Sequence, residues 1–251
     1  MIGCAFGLDT PQSVYLMVEA LKKEGIYTEY EFENGDAIIN KIINAVSNDT
    51  RWLSAEKALE RSVDIISGDI YRSWFCELSN MVQEQLVRDW ATPPGEYMVH
   101  EDKLPVPGII NGNIFIGLQP PRGYDEKAEE VYHSTDIVPP HQYIAFYKWV
   151  RNAFKADVIV HVGTHGTLEW LPGKEIGLSE NCYPDVTIDD IPHLCPYSIT
   201  VLGEGIQAKR RSDAVILDHL IPSLMLSGTY EEMEEIDELV KQYYQARQID
   251  K

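Results

Sequence analysis

The sequence has few cysteines and no long apolar run, and these absences argue against several classes of protein. Its four cysteines, in 251 residues, lie far apart and form no Cys-x-x-Cys pair, which argues against a disulfide framework and a thiolate zinc site. No run of about 18 apolar residues occurs, so we expect no membrane span. The N-terminal residues lack the basic segment of a signal peptide. We therefore expect a protein of the reducing cytoplasm.

Basic residues are also scarce. Lysine and arginine number 21 against 40 aspartates and glutamates, which gives a formal net charge of −19. This charge would repel a phosphate backbone, so we expect no nucleic-acid partner. Much of the acidity lies between Glu231 and Glu238. That run predicts either a solvated helix face or a docking face for another subunit.

The glycine-containing stretches do not form a nucleotide-binding loop. Gly3 and Gly7 lack the third glycine that opens the helix in the dinucleotide fingerprint. Residues 166–174 also depart from a phosphate loop, because six residues separate the two glycines and Glu175 replaces the magnesium-binding serine or threonine. We therefore expect no ATP site in this chain.

The order of the periodic segments predicts an α/β fold. A strand at Ile2–Phe6, a helix that begins at Pro11, a strand near Tyr27–Phe32 and a helix over residues 36–46 follow one another. This strand–helix–strand–helix order predicts a Rossmann-like unit with a parallel sheet. The helical pattern between residues 50 and 90 then predicts a helical insertion.

A second α/β segment is predicted in the C-terminal half. An aromatic helix, Tyr143–Phe154, leads into a buried strand, Asp157–Val162. The prolines between Pro93 and Pro107 favour a boundary, and we predict two units, residues 1–95 and residues 96–251. Short extra strands are expected at Tyr97–His100, Pro107–Ile110 and Asn113–Leu118.

Residues 161–174, His-Val-Gly-Thr-His-Gly-Thr-Leu-Glu-Trp-Leu-Pro-Gly-Lys, form the stretch least typical of a structural segment. The imidazoles of His161 and His165 and the carboxylate of Glu169 recur every four residues. On a continuous helix they would share one face, whereas the interleaved glycines favour a strand end, a turn and a short helix. Either arrangement can bring these ligands around a divalent ion. The alternative is a pair of structural histidines with a helix-capping glutamate.

Further charged residues follow in the segment 203–211. Glu204 stands between two glycines ahead of a predicted helix. Its carboxylate either stabilises the helix N-terminus or faces Glu169 as a second proton acceptor or cation ligand. The basic cluster after it is either solvated surface or a site for a carboxylate-bearing substrate. Its members are Lys209, Arg210 and Arg211.

Several long motifs in this order resemble the large subunit of class I chelatases, the family that includes CobN of cobaltochelatase and the H-type subunit of magnesium chelatase. The similar stretches are residues 7–11, 112–123, 132–136, 139–143, 161–174 and 203–211. The resemblance thus covers nearly the whole chain. Thr164, Leu168 and the Gly-Glu-Gly at residues 203–205 are more similar to the cobalt branch.

The resemblance implies insertion of Co²⁺ into a corrin-type tetrapyrrole, hydrogenobyrinic acid a,c-diamide, in cobalamin synthesis. Insertion of Mg²⁺ into protoporphyrin IX is the alternative. It also implies that separate AAA+ partner subunits hydrolyse ATP. Because full-length members are much longer, we expect this chain to be a central fragment, inactive without partner subunits.

The resemblance also implies roles for individual residues. The family's functional imidazoles and acids correspond to His161, His165, Glu169 and Glu204. We predict that His165 and Glu169 deliver the ion, that His161 completes the metal ligands, and that Glu204 accepts protons from the macrocycle. The residues expected to hold the peripheral carboxylates of the substrate are Arg122, Lys174, Lys209, Arg210 and Arg211.

A few residues have a structural role as the main alternative. Trp170 and Tyr143 either line the flat ring or pack in the core. His133 and His141 are either structural or part of the site.

Two other functions are compatible with the same residues. A zinc-dependent hydrolase would use His161, His165 and one carboxylate, although the stretch lacks the His-Glu-x-x-His signature of zinc proteases. A non-catalytic scaffold would bind a tetrapyrrole and recruit partners. Tight, stoichiometric Zn²⁺ would indicate the hydrolase, whereas tetrapyrrole binding would indicate the chelatase or the scaffold.

Overall fold

The computed structural model describes residues 4–5, 8–45, 53–122, 136–164, 166–198 and 202–219, together with residues 236, 239, 240 and 242. Residues 1–220 form one compact unit and residues 221–251 a second. Within the part of the chain described, no helix is both long and apolar enough to cross a membrane.

The first unit contains both helices and strands. The helices are α1 Thr10–Lys23, α2 Gly35–Asn44, α3 Ala55–Arg61, α4 Gly68–Cys76, α5 Asn80–Trp90, α6 His141–Trp149, α7 Tyr183–Ile188 and α8 Leu202–Arg211, with a π-helical turn at Val150–Phe154 and a 3₁₀ turn at Leu168–Trp170. The strands are β1 Cys4–Ala5, β2 Leu8–Asp9, β3 Asp64–Ser67, β4 Lys103–Val106, β5 Gly108–Asn111, β6 Ile114–Gly117, β7 Ile159–Val160, β8 His193–Ser198 and β9 Val215–His219.

A parallel sheet of three strands, in the order β7-β8-β9, confirms the α/β class. The other described sheets are antiparallel pairs, β1-β2, β3-β4 and β5-β6. The β3-β4 pair joins residues on the two sides of the predicted boundary between residues 95 and 96. The division into residues 1–95 and 96–251 stays a prediction.

The N-terminal segment departs from the predicted parallel unit. Residues 27–32 are not a strand, so the strand predicted there is wrong. The reason is the Asn111 amide, whose oxygen accepts the backbone N–H groups of Glu29 and Tyr30 at 2.8 and 3.0 Å. Its nitrogen donates to the Tyr30 carbonyl oxygen at 2.9 Å. One side chain thus satisfies backbone groups that a neighbouring strand would otherwise pair.

The extra strands of the central segment are confirmed in part. Strands β5 and β6 occupy the predicted positions and form a hairpin. The strand predicted at Tyr97–His100 is wrong, because this segment is a turn with a single bridge from His100 to Lys103. Met98, Glu101 and Asp102 have positive φ angles, which are incompatible with an extended strand.

The main core surrounds helix α6, all of whose residues are buried. Its side chains belong to one core cluster with residues of α4, α5, β4, α7 and the 3₁₀ turn. Leu168 and Leu171, at the two ends of that turn, are fully buried in the same core. Burial of these two leucines, on either side of Glu169, therefore holds the 3₁₀ turn against the core.

Candidate functional site at the end of strand β7

Residues 161–174, the central motif, begin at the carboxyl end of strand β7 in the parallel sheet. The His161 backbone N–H donates to the Leu194 carbonyl oxygen at 2.9 Å, which continues the β7-β8 pairing by one residue. Glu169 lies in the 3₁₀ turn that follows. The arrangement is a strand end with a short helical turn, and not a continuous helix.

His161 and Glu169 converge on Gly166. The Glu169 side chain is 1% exposed, and its Oε1 atom accepts the Gly166 N–H at 2.9 Å. A Cβ atom built on Gly166 would lie 3.1 Å from His161 Nδ1, 3.2 Å from Glu169 Oε2 and 3.3 Å from Gln119 Nε2. Three polar atoms thus surround one side of a residue that has no side chain. The absence of a Cβ at Gly166 allows this close approach.

Gln119 connects this turn to helix α6. Its side-chain oxygen accepts the Thr167 N–H at 2.7 Å, and its nitrogen donates to the hydroxyls of Tyr143 and Tyr147 at 3.1 and 2.7 Å. The Tyr147 hydroxyl lies 3.0 Å from His161 Nε2. Burial raises the pKa of both tyrosines, so both phenols stay protonated. Gln119 lies inside a stretch that resembles the chelatase family, but its sequence context does not reveal its partners.

A second imidazole, that of His193, lies beside His161 and was not predicted. The two ring centroids are 4.4 Å apart and the planes are nearly perpendicular. Burial, with a contribution from His193, lowers the pKa of His161 to about 3, and burial also lowers the pKa of His193. Both rings are therefore neutral at pH 7. Among the described residues, neither His161 Nδ1 nor His193 Nε2 has a hydrogen-bond partner.

Glu204 joins the site through Trp170. The Trp170 indole N–H donates to Glu204 Oε2 at 3.1 Å, and the indole is 39% exposed. Glu204 is partly buried in the first turn of α8. Glu204 is therefore joined to the residue next to Glu169.

The predicted substrate-binding residues have different environments. Lys174, Lys209 and Arg210 are exposed, whereas Arg122 and Arg211 are buried. The Arg211 guanidinium donates to the Leu171 carbonyl oxygen at 2.8 Å, and so supports the turn that carries Glu169. Their roles in substrate binding stay predictions.

Both ring nitrogens of His141 have hydrogen-bond partners within the fold. Its two ring nitrogens lie 2.7 Å from the Tyr71 hydroxyl and 2.9 Å from the Ala91 carbonyl oxygen. Burial lowers its pKa and keeps the ring neutral. Tyr143 is completely buried in the core and enters the site only through its hydroxyl.

Two predicted histidines, His133 and His165, lie outside the described residues. Among the residues that are described, no three His, Cys, Asp or Glu side chains are placed to share one metal ion. The predicted ligand set of His161, His165 and Glu169 therefore stays a prediction.

A cleft of about 920 Å³ adjoins the site. Its volume is in the upper range for small-molecule sites. Apolar side chains of α1, α2 and the β5-β6 hairpin form much of its wall, and Gln119, Tyr147, His161 and Gly166 form a polar part of it. The exposed cations Lys209 and Arg210 are not among the described residues that line it.

The fold and site are those of an α/β domain whose strand-end turn carries an imidazole and a carboxylate beside a large cleft. The model of the CobN/Magnesium Chelatase family matches residues 1–251. The chain belongs to this family, as the motifs predict.

Two curated relatives and one solved structure show the extent of the similarity. The aerobic cobaltochelatase subunit CobN of Pseudomonas aeruginosa is 37% identical over 249 residues, which cover 99% of this chain and 20% of the relative. The chloroplastic magnesium-chelatase subunit ChlH of Oryza sativa subsp. indica is 31% identical, over 96% of this chain and 17% of the relative. The catalytic subunit of cobaltochelatase from Mycobacterium tuberculosis is 33% identical with a TM-score of 0.77, over 99% of this chain and 21% of that structure. The chain spans about a fifth of the length of the curated relatives it matches.

Proposed function

We propose that the chain is the central part of the large, tetrapyrrole-binding subunit of an ATP-dependent cobaltochelatase. The reaction would insert Co²⁺ into hydrogenobyrinic acid a,c-diamide in cobalamin biosynthesis. The observation that carries this proposal is the convergence of the His161 imidazole and the buried Glu169 carboxylate on Gly166. His161 and Gly166 line a cleft large enough for a small-molecule substrate. The higher identity to the cobaltochelatase relative favours cobalt over the alternative, Mg²⁺ insertion into protoporphyrin IX.

Metal insertion has two chemical requirements that these residues can meet. The ion must lose water, and the ring nitrogens must lose two protons. A carboxylate at Glu169, with the imidazole of His165, supplies ligands that suit a divalent ion of this kind. Glu204, at the N-terminal turn of α8, is the proposed proton acceptor.

Cations on the α8 side of the site would hold the substrate's peripheral carboxylates. Lys209 and Arg210 are exposed in the last turn of this helix and can pair with an anionic ligand in solvent. Lys174 is exposed at the end of the central motif. Arg211 would act by supporting the Glu169 turn through the Leu171 carbonyl.

The remaining parts of the reaction belong to partners. We propose that AAA+ subunits hydrolyse ATP, since the sequence has no phosphate loop, and that the complex works in the cytoplasm. A chain that spans a fifth of its relatives would have no chelatase activity without the rest of the large subunit and these partners.

A titration separates the proposed function from its alternatives. The tetrapyrrole is added to the chain, with and without Co²⁺, and binding is followed by absorbance and by quenching of tryptophan fluorescence. Binding is the expected result, and insertion of Co²⁺ is expected once the full-length subunit, ATP and the ATPase subunits are supplied. Binding without insertion would support the scaffold, whereas tight Zn²⁺ without tetrapyrrole binding would support the hydrolase.

Replacement of Gly166 by alanine is expected to reduce metal insertion by the full-length subunit about 10- to 100-fold, because the new Cβ would displace His161 or Glu169. Gly203→Ala is the matched control, since a Cβ there has no neighbour within 4 Å. Equal insertion rates for the two variants would show that the space beside Gly166 is unimportant.

A further inference from the structure

The hydrogen bonds of Gln119 fix the orientation of its amide. The Thr167 backbone N–H can only donate, so the Gln119 atom 2.7 Å away is the oxygen. The amide nitrogen is then the donor to the hydroxyls of Tyr143 and Tyr147, at 3.1 and 2.7 Å. Both phenol oxygens therefore act as acceptors toward Gln119.

Each phenol still has one proton to donate, and each lies beside a further polar atom. The Tyr143 hydroxyl lies 2.9 Å from Thr167 Oγ1, and the Tyr147 hydroxyl lies 3.0 Å from His161 Nε2. A neutral imidazole carries one proton on one of its two nitrogens. If Tyr147 donates to Nε2, the proton of His161 resides on Nδ1.

The tautomer of the neighbouring imidazole follows from its own hydrogen bond. His193 Nδ1 lies 3.2 Å from the Ser212 carbonyl oxygen, which can only accept, so this nitrogen carries the proton. The buried Nε2 atom of His193 is therefore an acceptor, on a ring whose centroid is 4.4 Å from that of His161. The two rings are close, but among the described residues no hydrogen bond joins these two nitrogens.

We propose that Gln119 and Tyr147 are positioning residues that hold His161 in the tautomer protonated at Nδ1, and that His161 serves the site as a hydrogen-bond donor and not as a metal ligand. The Nδ1 atom faces Gly166, where Glu169 Oε2 also lies. A protonated ring nitrogen has no lone pair for a cation. His161 would thus donate to a ligand atom that binds beside Gly166, and the ion would be left to the other predicted ligands.

The tautomer is measurable without any chelatase activity. Histidine is labelled with ¹⁵N in the 28.6 kDa chain, and long-range ¹H–¹⁵N correlation spectra identify the nitrogen that carries the proton. The His161 signals are assigned by their loss in His161→Asn. The expected result is a proton on Nδ1 in the wild type and a shift toward the Nε2 tautomer in Tyr147→Phe, which lacks the donating hydroxyl.

Tyr143→Phe is the matched control for the spectrum. It removes the other hydroxyl that contacts Gln119 but makes no hydrogen bond to His161, so the proton is expected to stay on Nδ1. A wild-type ring protonated at Nε2 overturns the proposal even if the Tyr147 variant does not fold. An unchanged tautomer in folded Tyr147→Phe overturns the role of Tyr147.

The donor role rests on the proposed chelatase function and is tested in the full-length subunit. His161→Asn keeps an N–H donor near the Nδ1 position but is a poor ligand for a late transition ion, whereas His161→Ala keeps neither property. We expect the Asn variant to insert Co²⁺ about tenfold faster than the Ala variant. Equal loss in the two variants overturns the donor role. Failure of the wild type to insert metal would instead reject the chelatase function and leave the spectra to decide the tautomer.

Discussion

Replacing Glu169 by glutamine in the full-length subunit is expected to lower the rate of metal insertion about 10²- to 10⁴-fold, the range found when a general acid or base is removed. Glutamine keeps the shape of the side chain and still offers an oxygen to the Gly166 N–H, which Glu169 accepts at 2.9 Å. The change therefore removes the negative charge and leaves the fold of the turn intact. Without that charge, the side chain neither holds a divalent ion well nor accepts a proton.

The measurement is the initial rate of Co²⁺ insertion with the ATPase subunits and ATP, with far-ultraviolet circular dichroism to verify folding. Glu175→Gln is a suitable control, because Glu175 is exposed and directly follows the same motif, and the same loss of charge there is expected to leave the rate unchanged. A near-normal rate for folded Glu169→Gln would remove Glu169 from the catalytic residues.

The local part of the site could be predicted from the sequence. A short apolar strand followed by glycines, His and Glu indicated a strand end with a turn, and the structure has His161 and Glu169 in those places. These features could be predicted because a few neighbouring residues determine where a strand ends and a turn begins. The helical spacing of Tyr143 and Tyr147 likewise indicated that both lie on one face of a helix.

The partners of these residues could not be predicted in the same way. His193 reaches His161 only because β8 pairs with β7, and Gln119 reaches Thr167 across 48 residues of sequence. Such contacts depend on tertiary packing, which a single sequence does not encode in any short spacing. The same reason explains the wrong strand at residues 27–32, whose backbone groups are satisfied by the distant Asn111 amide.

Packing of the turn that carries Glu169 predicts a second large effect, on the stability of the fold. Leu168→Ala is expected to reduce the free energy of unfolding by about 2–5 kcal/mol, the usual cost of truncating a fully buried leucine. The Leu168 side chain is 0% exposed and belongs to the main core around α6. It also precedes Glu169 in the 3₁₀ turn, so the cavity should loosen the turn and weaken tetrapyrrole binding as well.

Urea unfolding of the chain, followed by circular dichroism, measures the loss for Leu168→Ala. Ile176→Ala removes a similar apolar side chain from a position that is 69% exposed, and its unfolding free energy should stay within about 0.5 kcal/mol of the wild type. A loss below about 1 kcal/mol for Leu168→Ala would contradict the argument, because a fully buried leucine cannot lose that little unless its surroundings collapse into the cavity. Burial of Leu168 would then be too weak a constraint to fix the position of Glu169.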